Sequence, residues 1–447
     1  MKKILTLLLA LWMLTGCVAM AAENQLVVGS TTAMSGAFFT DLFGSNTADI
    51  DVRALLHGYN LMSWDHETGT YQINDSVVAG MAVSRDAQNN RVYTFDLYGD
   101  LKFSDGSAIT AKDYAFSILL TASPELAKLG GQSAAVGAIL GMDAYQSGKS
   151  SVLRGVRLLS DTQMSITISK AYEPYFYEMA LFDYSPYPIS VLAPGCKVVD
   201  TEKGVGIVNA SGTGAAIFTA GLLQKTILDA ATGYMSHPSV VSGPYTLTSY
   251  DAQSGTASFA INPYYKGNED GEKPTIETIV YRSVANDEAI DLLLSGEVDL
   301  LNKMVAADTI SKGIQSTADQ PFSVANYPRS GLSMISFSCE RQTVSSKAVR
   351  QAIASCFDRD ALVKAYTGNF GLKANGYFGI GQWMYQLAAG TIQPPVADLP
   401  ANATAKETAA YEKTVAQWDA LSLDKLKDYP LDLDQAAKLL DQDEWRL

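Results

Sequence analysis

Residues 91–120 read RVYTFDLYGDLKFSDGSAITAKDYAFSILL. Tyr93, Phe95 and Leu97 alternate with Thr94, Asp96 and Tyr98, the period of a strand with one buried face. Gly99-Asp100 is a turn, and Leu101 and Phe103 flank Lys102 in a second short strand. Ser104-Asp105-Gly106-Ser107 is a second turn, made of residues that bond their own backbone or accept positive φ. Thr110 stands three residues before Asp113. That is the spacing of an N-cap hydroxyl with an acid in the first helical turn, where the helix dipole favours negative charge. Tyr114, Phe116, Ile118 and Leu119 supply the apolar faces of the helix that follows.

The order of these residues carries a resemblance. Tyr93-Thr94-Phe95-Asp96-Leu97, then Lys102-Phe103-Ser104-Asp105-Gly106, then Ile109-Thr110-Ala111-Lys112-Asp113 resemble the signature region of the family 5 extracellular solute-binding proteins, the oligopeptide-binding components of ABC importers. Outward from it, Val241-Ser242-Gly243-Pro244-Tyr245-Thr246-Leu247 resembles the family's G-x-G-P-Y-x-L strand without its first glycine. Asn262-Pro263-Tyr264-Tyr265-Lys266-Gly267 resembles its N-P-x-Y segment. Ile279–Arg282, Ala289–Leu294 and Ser295-Gly296-Glu297-Val298-Asp299 resemble its strand, helix and s-G-E-v-D run. Lys347–Ile353 with Phe357-Asp358-Arg359, and Leu433–Leu440, resemble two of its helices. The likeness runs from about residue 26 to 441.

The resemblance implies an α/β chain with a two-lobed periplasmic-binding-protein-like fold of class II type, with an extra outer subdomain. It implies 23–64 and 191–282 as lobe I, 65–190 as the outer subdomain and 283–447 as lobe II. Family members run further than Leu447, so the C-terminal part of lobe II is expected to be missing. The implied function is an extracytoplasmic receptor that closes around a peptide and delivers it to ABC permease subunits, as a monomer with no cofactor and no catalysis. Related receptors take nickel complexes, haem or sugars, and a receptor that senses peptides without importing them is a further reading.

At the N-terminus, Lys2-Lys3 and the apolar run Ile4–Leu14 read as a signal peptide spanning 1–22, too short to cross a bilayer as a stable helix. Leu14-Thr15-Gly16-Cys17 resembles the bacterial lipobox, which makes Cys17 the expected lipid-anchored residue; the alternative is an ordinary cleavage near Ala19-Met20-Ala21. Either way the chain is exported. The formal charge of −14 argues against nucleic-acid or anionic-membrane binding through a basic face. The cysteines, Cys17, Cys196, Cys339 and Cys356, form no disulfide framework. Cys339 and Cys356 could pair, but buried thiols are the plainer reading. At 447 residues the chain is long enough for two or three domains.

Leu26-Val27-Val28-Gly29 reads as a buried strand, with small polar residues at its end. The resemblance makes Thr31, Thr32, Met34 and Ser35 ligand walls, whose backbone can pair with an extended peptide of any sequence. It also places Tyr281 and Arg282 at the cleft mouth. Trp383 and Tyr385, in the glycine- and aromatic-rich loop Gly368–Tyr385, complete the expected walls. Arg53–Leu61 and Ser345–Phe357 read as helices, Leu332–Phe337 as a strand, and the glycine-rich Gly204–Gly214 as a flexible surface loop. Six residues separate Gly141 from Gly148-Lys149 instead of the four of a phosphate loop, and no apolar strand precedes them. An exported hydrolase would need a nucleophile, a base and an orienting acid. The imidazoles are His57, His66 and His237, and neither G-x-S-x-G nor H-E-x-x-H occurs. No metal-ligand spacing is present.

Overall fold

The computed structural model describes residues 24–65, 70–132, 137–173, 175, 177–327, 331–392, 399 and 403–442. Cys17, the whole of 1–22, and His66 lie outside them. The chain forms two compact units. The first takes Met1–Ser63, Gln72–Ala285 and Asp291–Asn302; the second takes Trp64–Tyr71, Asn286–Ile290 and Lys303–Leu447.

The first unit is built on a five-stranded sheet. Its order is Tyr245–Asp251, Thr256–Ile261, Thr278–Ser283, Gln25–Ser30, Leu300–Leu301. The last three run parallel, and the first two pair antiparallel. The expected strand at Leu26–Gly29 is therefore a central one, and Val28 packs with Phe259, Ile279 and Tyr281 in the core. The helix laid on this core is Thr47–Leu56, with Val52 and Leu56 fully buried. It starts and ends earlier than Arg53–Leu61. Asn46 and Asp49 form a capping box at its start. At its end the Gly243 N–H donates to the Leu56 carbonyl at 2.8 Å, and His57 is already extended.

An antiparallel sheet of four strands carries the opening stretch: Val78–Arg85, Arg91–Leu97, Gln163–Ile168, Val156–Leu158. Tyr93, Phe95 and Leu97 are buried, as their alternation predicts. The helix Ala111–Thr121 is apolar nearly all round and buried accordingly. Its cap is the expected pair, Thr110 as N-cap and Asp113 as the acid of the first turn, joined in a capping box. The Asp113 carboxylate accepts both the Thr110 N–H at 2.8 Å and the Thr110 hydroxyl at 2.9 Å. Burial outweighs these bonds and pushes Asp113 up to about 6. Leu101–Phe103 is not a strand. Lys102 makes a single bridge, to Ala108, flanked by Phe103 N–H to Ser107 O and Ile109 N–H to Leu101 O at 2.9 Å, and Leu101 and Phe103 are buried on one arm of the turn.

Gly204–Asn209 is likewise not a flexible loop. It is the middle strand of a small sheet, between Val152–Leu153 and Cys196–Thr201. The glycines serve close approach: a Cβ on Gly204, at φ +127°, would lie 2.3 Å from the Leu153 carbonyl oxygen, and one on Gly206 2.9 Å from that of Ser151. Small residues here mark contact with a neighbouring backbone and not freedom of movement.

The second unit is mainly helical. Lys347–Ser355 lies within the expected Ser345–Phe357, and its buried Val349 and Ala352, with Ala436 of Leu433–Gln442, supply the apolar contacts. Asp432 N–H to Ser355 O at 2.8 Å and Gln351 Nε2 to Tyr429 Oη at 3.0 Å join the two segments. Asp358 is the N-cap of Arg359–Thr367, accepting from Ala361 N–H. Arg350 caps backward onto the Val344 and Ser345 carbonyls. Both are structural charges. Leu332–Phe337 forms no ladder among the described residues, and Met334 and Ile335 are exposed; alternation alone makes no strand without a partner. Trp383 and Tyr385 lie on a short helix, Trp383–Ala388, and not in a loop. Cys196 is a buried free thiol, whereas Cys339 and Cys356 are exposed and unpaired, contrary to the reading of buried thiols. No described helix is long and apolar enough to cross a membrane.

Candidate functional site

Three parallel strands of the first unit end side by side. Ser30 stands opposite Ser283, and Gly29 opposite Leu301. The ladder continues one step outward, with Val284 N–H to Ser30 O at 2.9 Å and Asn302 N–H to Gly29 O at 3.0 Å. In open α/β sheets the region beyond the carboxyl ends of parallel strands is where ligands bind.

The loop that leaves the first strand here is held in one shape. The Ser30 hydroxyl donates to Thr32 O and accepts from Thr32 N–H, each at 3.2 Å. Thr32 and Thr47 hydroxyls meet at 3.4 Å. Asn46 Nδ2 donates to Ala33 O at 2.8 Å, while its Oδ1 accepts from Ala48 and Asp49 N–H. Asp49, fully buried, accepts from Ser35 N–H at 2.8 Å and Ser35 Oγ at 2.6 Å. One helix N-terminus thus fixes Ser30–Ser35 from beneath. A second polar layer lies on the same helix. Asp51 accepts from Tyr281 Oη at 3.0 Å and from Asn302 Nδ2 at 2.7 Å. Burial, chiefly, pushes the Tyr281 hydroxyl up to about 12, so it stays a donor to Asp51.

Of the expected wall residues, the structure brings six together at this edge. Thr31, Thr32 and Arg282 are half-buried and Ser35 is exposed. Arg282 Nη2 is 3.9 Å from Glu297. Met34 and Tyr281 are core residues, at 8% and 3% exposure. Trp383, buried, and Tyr385, whose ring lies 6.0 Å from that of Phe378, belong to the second unit. Sequence reading missed Asn46 and Asp49, although their i, i+3 spacing is a capping-box signal. It also missed Asp51 and Asn302, which are 251 positions apart and share no local signal.

Neither described histidine is set up as a base. His57 Nε2–H donates to Phe38 O at 2.9 Å, and its ring lies among Phe39, Tyr187 and Tyr234. Burial pushes it down to about 4, against the pull of that hydrogen bond. The fold therefore holds it neutral, and its contribution to stability, present above pH 6.5, is lost as pH falls toward 4. Asp113 acts with the opposite sign, its contribution being lost as pH rises from about 4 to 6. His57→Gln isolates the first effect. The stability gap between wild type and variant shifts against the wild type by about 3 kcal/mol between pH 7 and 4. Urea denaturation at a series of pH values measures it, and a gap independent of pH refutes the buried neutral imidazole. His237 Nδ1 meets the adjacent Ser236 Oγ at 3.0 Å, and no described carboxylate orients its other nitrogen.

Residues 76–447 match the family model described as "Bacterial extracellular solute-binding proteins, family 5 Middle". The chain is 24% identical over 382 residues to the oligopeptide-binding protein OppA of Lactococcus lactis subsp. lactis strain IL1403, covering 83% of this chain and 52% of that one. It is 24% identical over 306 residues to the periplasmic oligopeptide-binding protein OppA of Escherichia coli K12, covering 67% and 48%. The chain thus spans about half the length of these curated relatives. Among solved structures it resembles lactococcal OppA complexed with an endogenous peptide in the closed conformation. There the TM-score is 0.60 at 19% identity, over 95% of this chain and 68% of the other. The resemblance read from the motifs and the α/β fold class it implies are both met.

Proposed function

Because the chain belongs to the family 5 bacterial extracellular solute-binding proteins, we propose that it is a receptor that binds peptides outside the cytoplasm and hands them to an ABC permease. The observation that carries this reading is the pinned polar loop Ser30–Ser35 at the carboxyl edge of three parallel strands. A rigid row of hydroxyls and main-chain groups suits a ligand recognised through its own backbone, whatever its side chains. Rigidity also lowers the cost of ordering the site on binding. The names of the relatives, and the peptide held by the lactococcal protein, support peptides as the ligand class.

Thr31, Thr32, Ser35 and Arg282 are the residues proposed to face the ligand, with Met34 and Tyr281 supporting them from the core. The receptor is proposed to act without catalysis, a reading supported by the neutral, hydrogen-bonded His57. Calorimetric titration with tri- to pentapeptides of unrelated sequence tests it. Saturable binding of several of them is expected. Binding of a nickel complex, haem or a sugar in their place contradicts the peptide assignment, and peptide cleavage that vanishes in His57→Gln contradicts the receptor itself.

The anchor is proposed to be a lipid on Cys17. Cys17→Ala is expected to move the protein from the membrane pellet to the soluble fraction of its own cells. A variant that stays in the pellet refutes lipidation at this residue.

A further inference from the structure

A cavity of about 250 Å³ opens in the first unit, away from the strand edge, and shares no residue with the loop Ser30–Ser35. It lies between the segment Thr40–Leu42, one face of the helix Ala111–Thr121, and the segment Ala180–Tyr187. Its charged groups are of one sign. Asp41 and Asp183 bring two carboxylates, and among the described residues no lysine, arginine or histidine lines it. The Ser117 hydroxyl donates to Ser185 O at 2.6 Å and that of Thr121 to Ser117 O at 2.8 Å, so both oxygens have only lone pairs left to offer. Asp183 spends one oxygen on Asn60 Nδ2 at 2.7 Å. The Asp41 carboxylate has no hydrogen bond or ion pair among the described residues. Arg53, whose charge acts on Tyr187 of this wall, is already committed to Ala37 O and Ser45 Oγ. Tyr184 and Tyr187 supply the aromatic part of the wall.

Acceptors and carboxylates beside tyrosine rings make a site for a donor with positive charge. We propose that this cavity binds a small organic cation bearing one or two ammonium groups, such as an aliphatic diamine. A bare metal ion fits less well, because among the described residues no group of three His, Cys, Asp or Glu stands together to hold one. The volume equals that of about eight molecules of liquid water, which suits a short amine and not a peptide. The site is independent of the strand edge and of the peptide-receptor reading.

Putrescine titrated into the full 447-residue chain by calorimetry at low salt tests the proposal. Saturable one-to-one binding is expected. Asp41→Asn weakens it by roughly ten- to a hundredfold, the loss of one charge-assisted hydrogen bond. The variant keeps its melting temperature, since that carboxylate holds no part of the fold. 1,4-Butanediol, the same chain without charge, does not bind. No saturable heat with putrescine overturns the proposal. So does equal binding of the diol, unchanged affinity in Asp41→Asn, or displacement of putrescine by calcium at equal concentration, which marks a bare cation site.

Discussion

Gly243→Ala lowers the stability of the first unit by about 3 kcal/mol or more, among the largest effects any single methyl group has on this chain. A Cβ at this position would lie 2.5 Å from both the Leu55 carbonyl oxygen and the Leu56 carbonyl carbon, and 2.8 Å from His57 N. All three are backbone atoms at the end of the helix Thr47–Leu56, so no side chain can turn aside. The segment cannot retreat either. Gly243 N–H caps Leu56 O, Gly243 O accepts from Asn262 Nδ2 at 2.8 Å, and the neighbouring Ser242 hydroxyl bonds Gly58 O at 3.0 Å. The same helix carries Asn46, Asp49 and Asp51, so displacing its end disturbs the pinned loop. Gly221→Ala is the control. Its Cβ would meet only the Thr219 hydroxyl at 3.9 Å, and helix propensity favours the change. The two units require separate probes. Trp64, Trp383, Trp418 and Trp445 belong to the second, so in protein freed of residues 1–22, and with them Trp12, tryptophan emission follows that unit, and the urea transition of the first is the part of the circular-dichroism change that emission does not follow. A Gly243→Ala transition within about 0.5 kcal/mol of wild type would remove the close-contact account.

Phe95→Ala costs about 3–5 kcal/mol, the usual price of removing a fully buried phenylalanine ring. Phe95 is 0% exposed, stands between Met81 and Met164 on the flanking strands, and meets the Phe182 ring edge-on at 5.4 Å. Tyr93 packs on the same Phe182 at 4.6 Å, so the cavity would be walled by rings that cannot collapse far. Ser84→Ala, exposed on the edge strand and paired with Val92 on the other face of that sheet, should change stability by no more than about 0.5 kcal/mol. Circular dichroism again reads both. Equal losses for the two variants would mean that the alternation of residues 93–97 does not define the core face.

That alternation was legible because one face of the strand meets core and the other water. The capped helix after it was legible for a similar reason: Thr110 and Asp113 lie within one turn and form the capping box that their spacing announces. Gly204–Asn209 misled because glycine has two uses, freedom and closeness, and composition does not say which neighbour is near. Leu332–Phe337 misled because strands exist only in ladders. At the candidate site, Thr31, Thr32 and Ser35 could be found from the strand that ends before them. Their rigidity could not, since it comes from Asp49 and Asn46 on a helix that the apolar pattern placed too late. Asp51, Tyr281 and Asn302 meet only because the fold sets strand ends from distant parts of the chain beside one helix.

The central claim, a peptide receptor, is tested most directly by native mass spectrometry on protein purified from its own cells without denaturation. The account predicts adducts that release as a mixture of peptides of unrelated sequence, one per chain. Protein that carries no peptide, and takes none up when incubated with a peptide mixture, would contradict it.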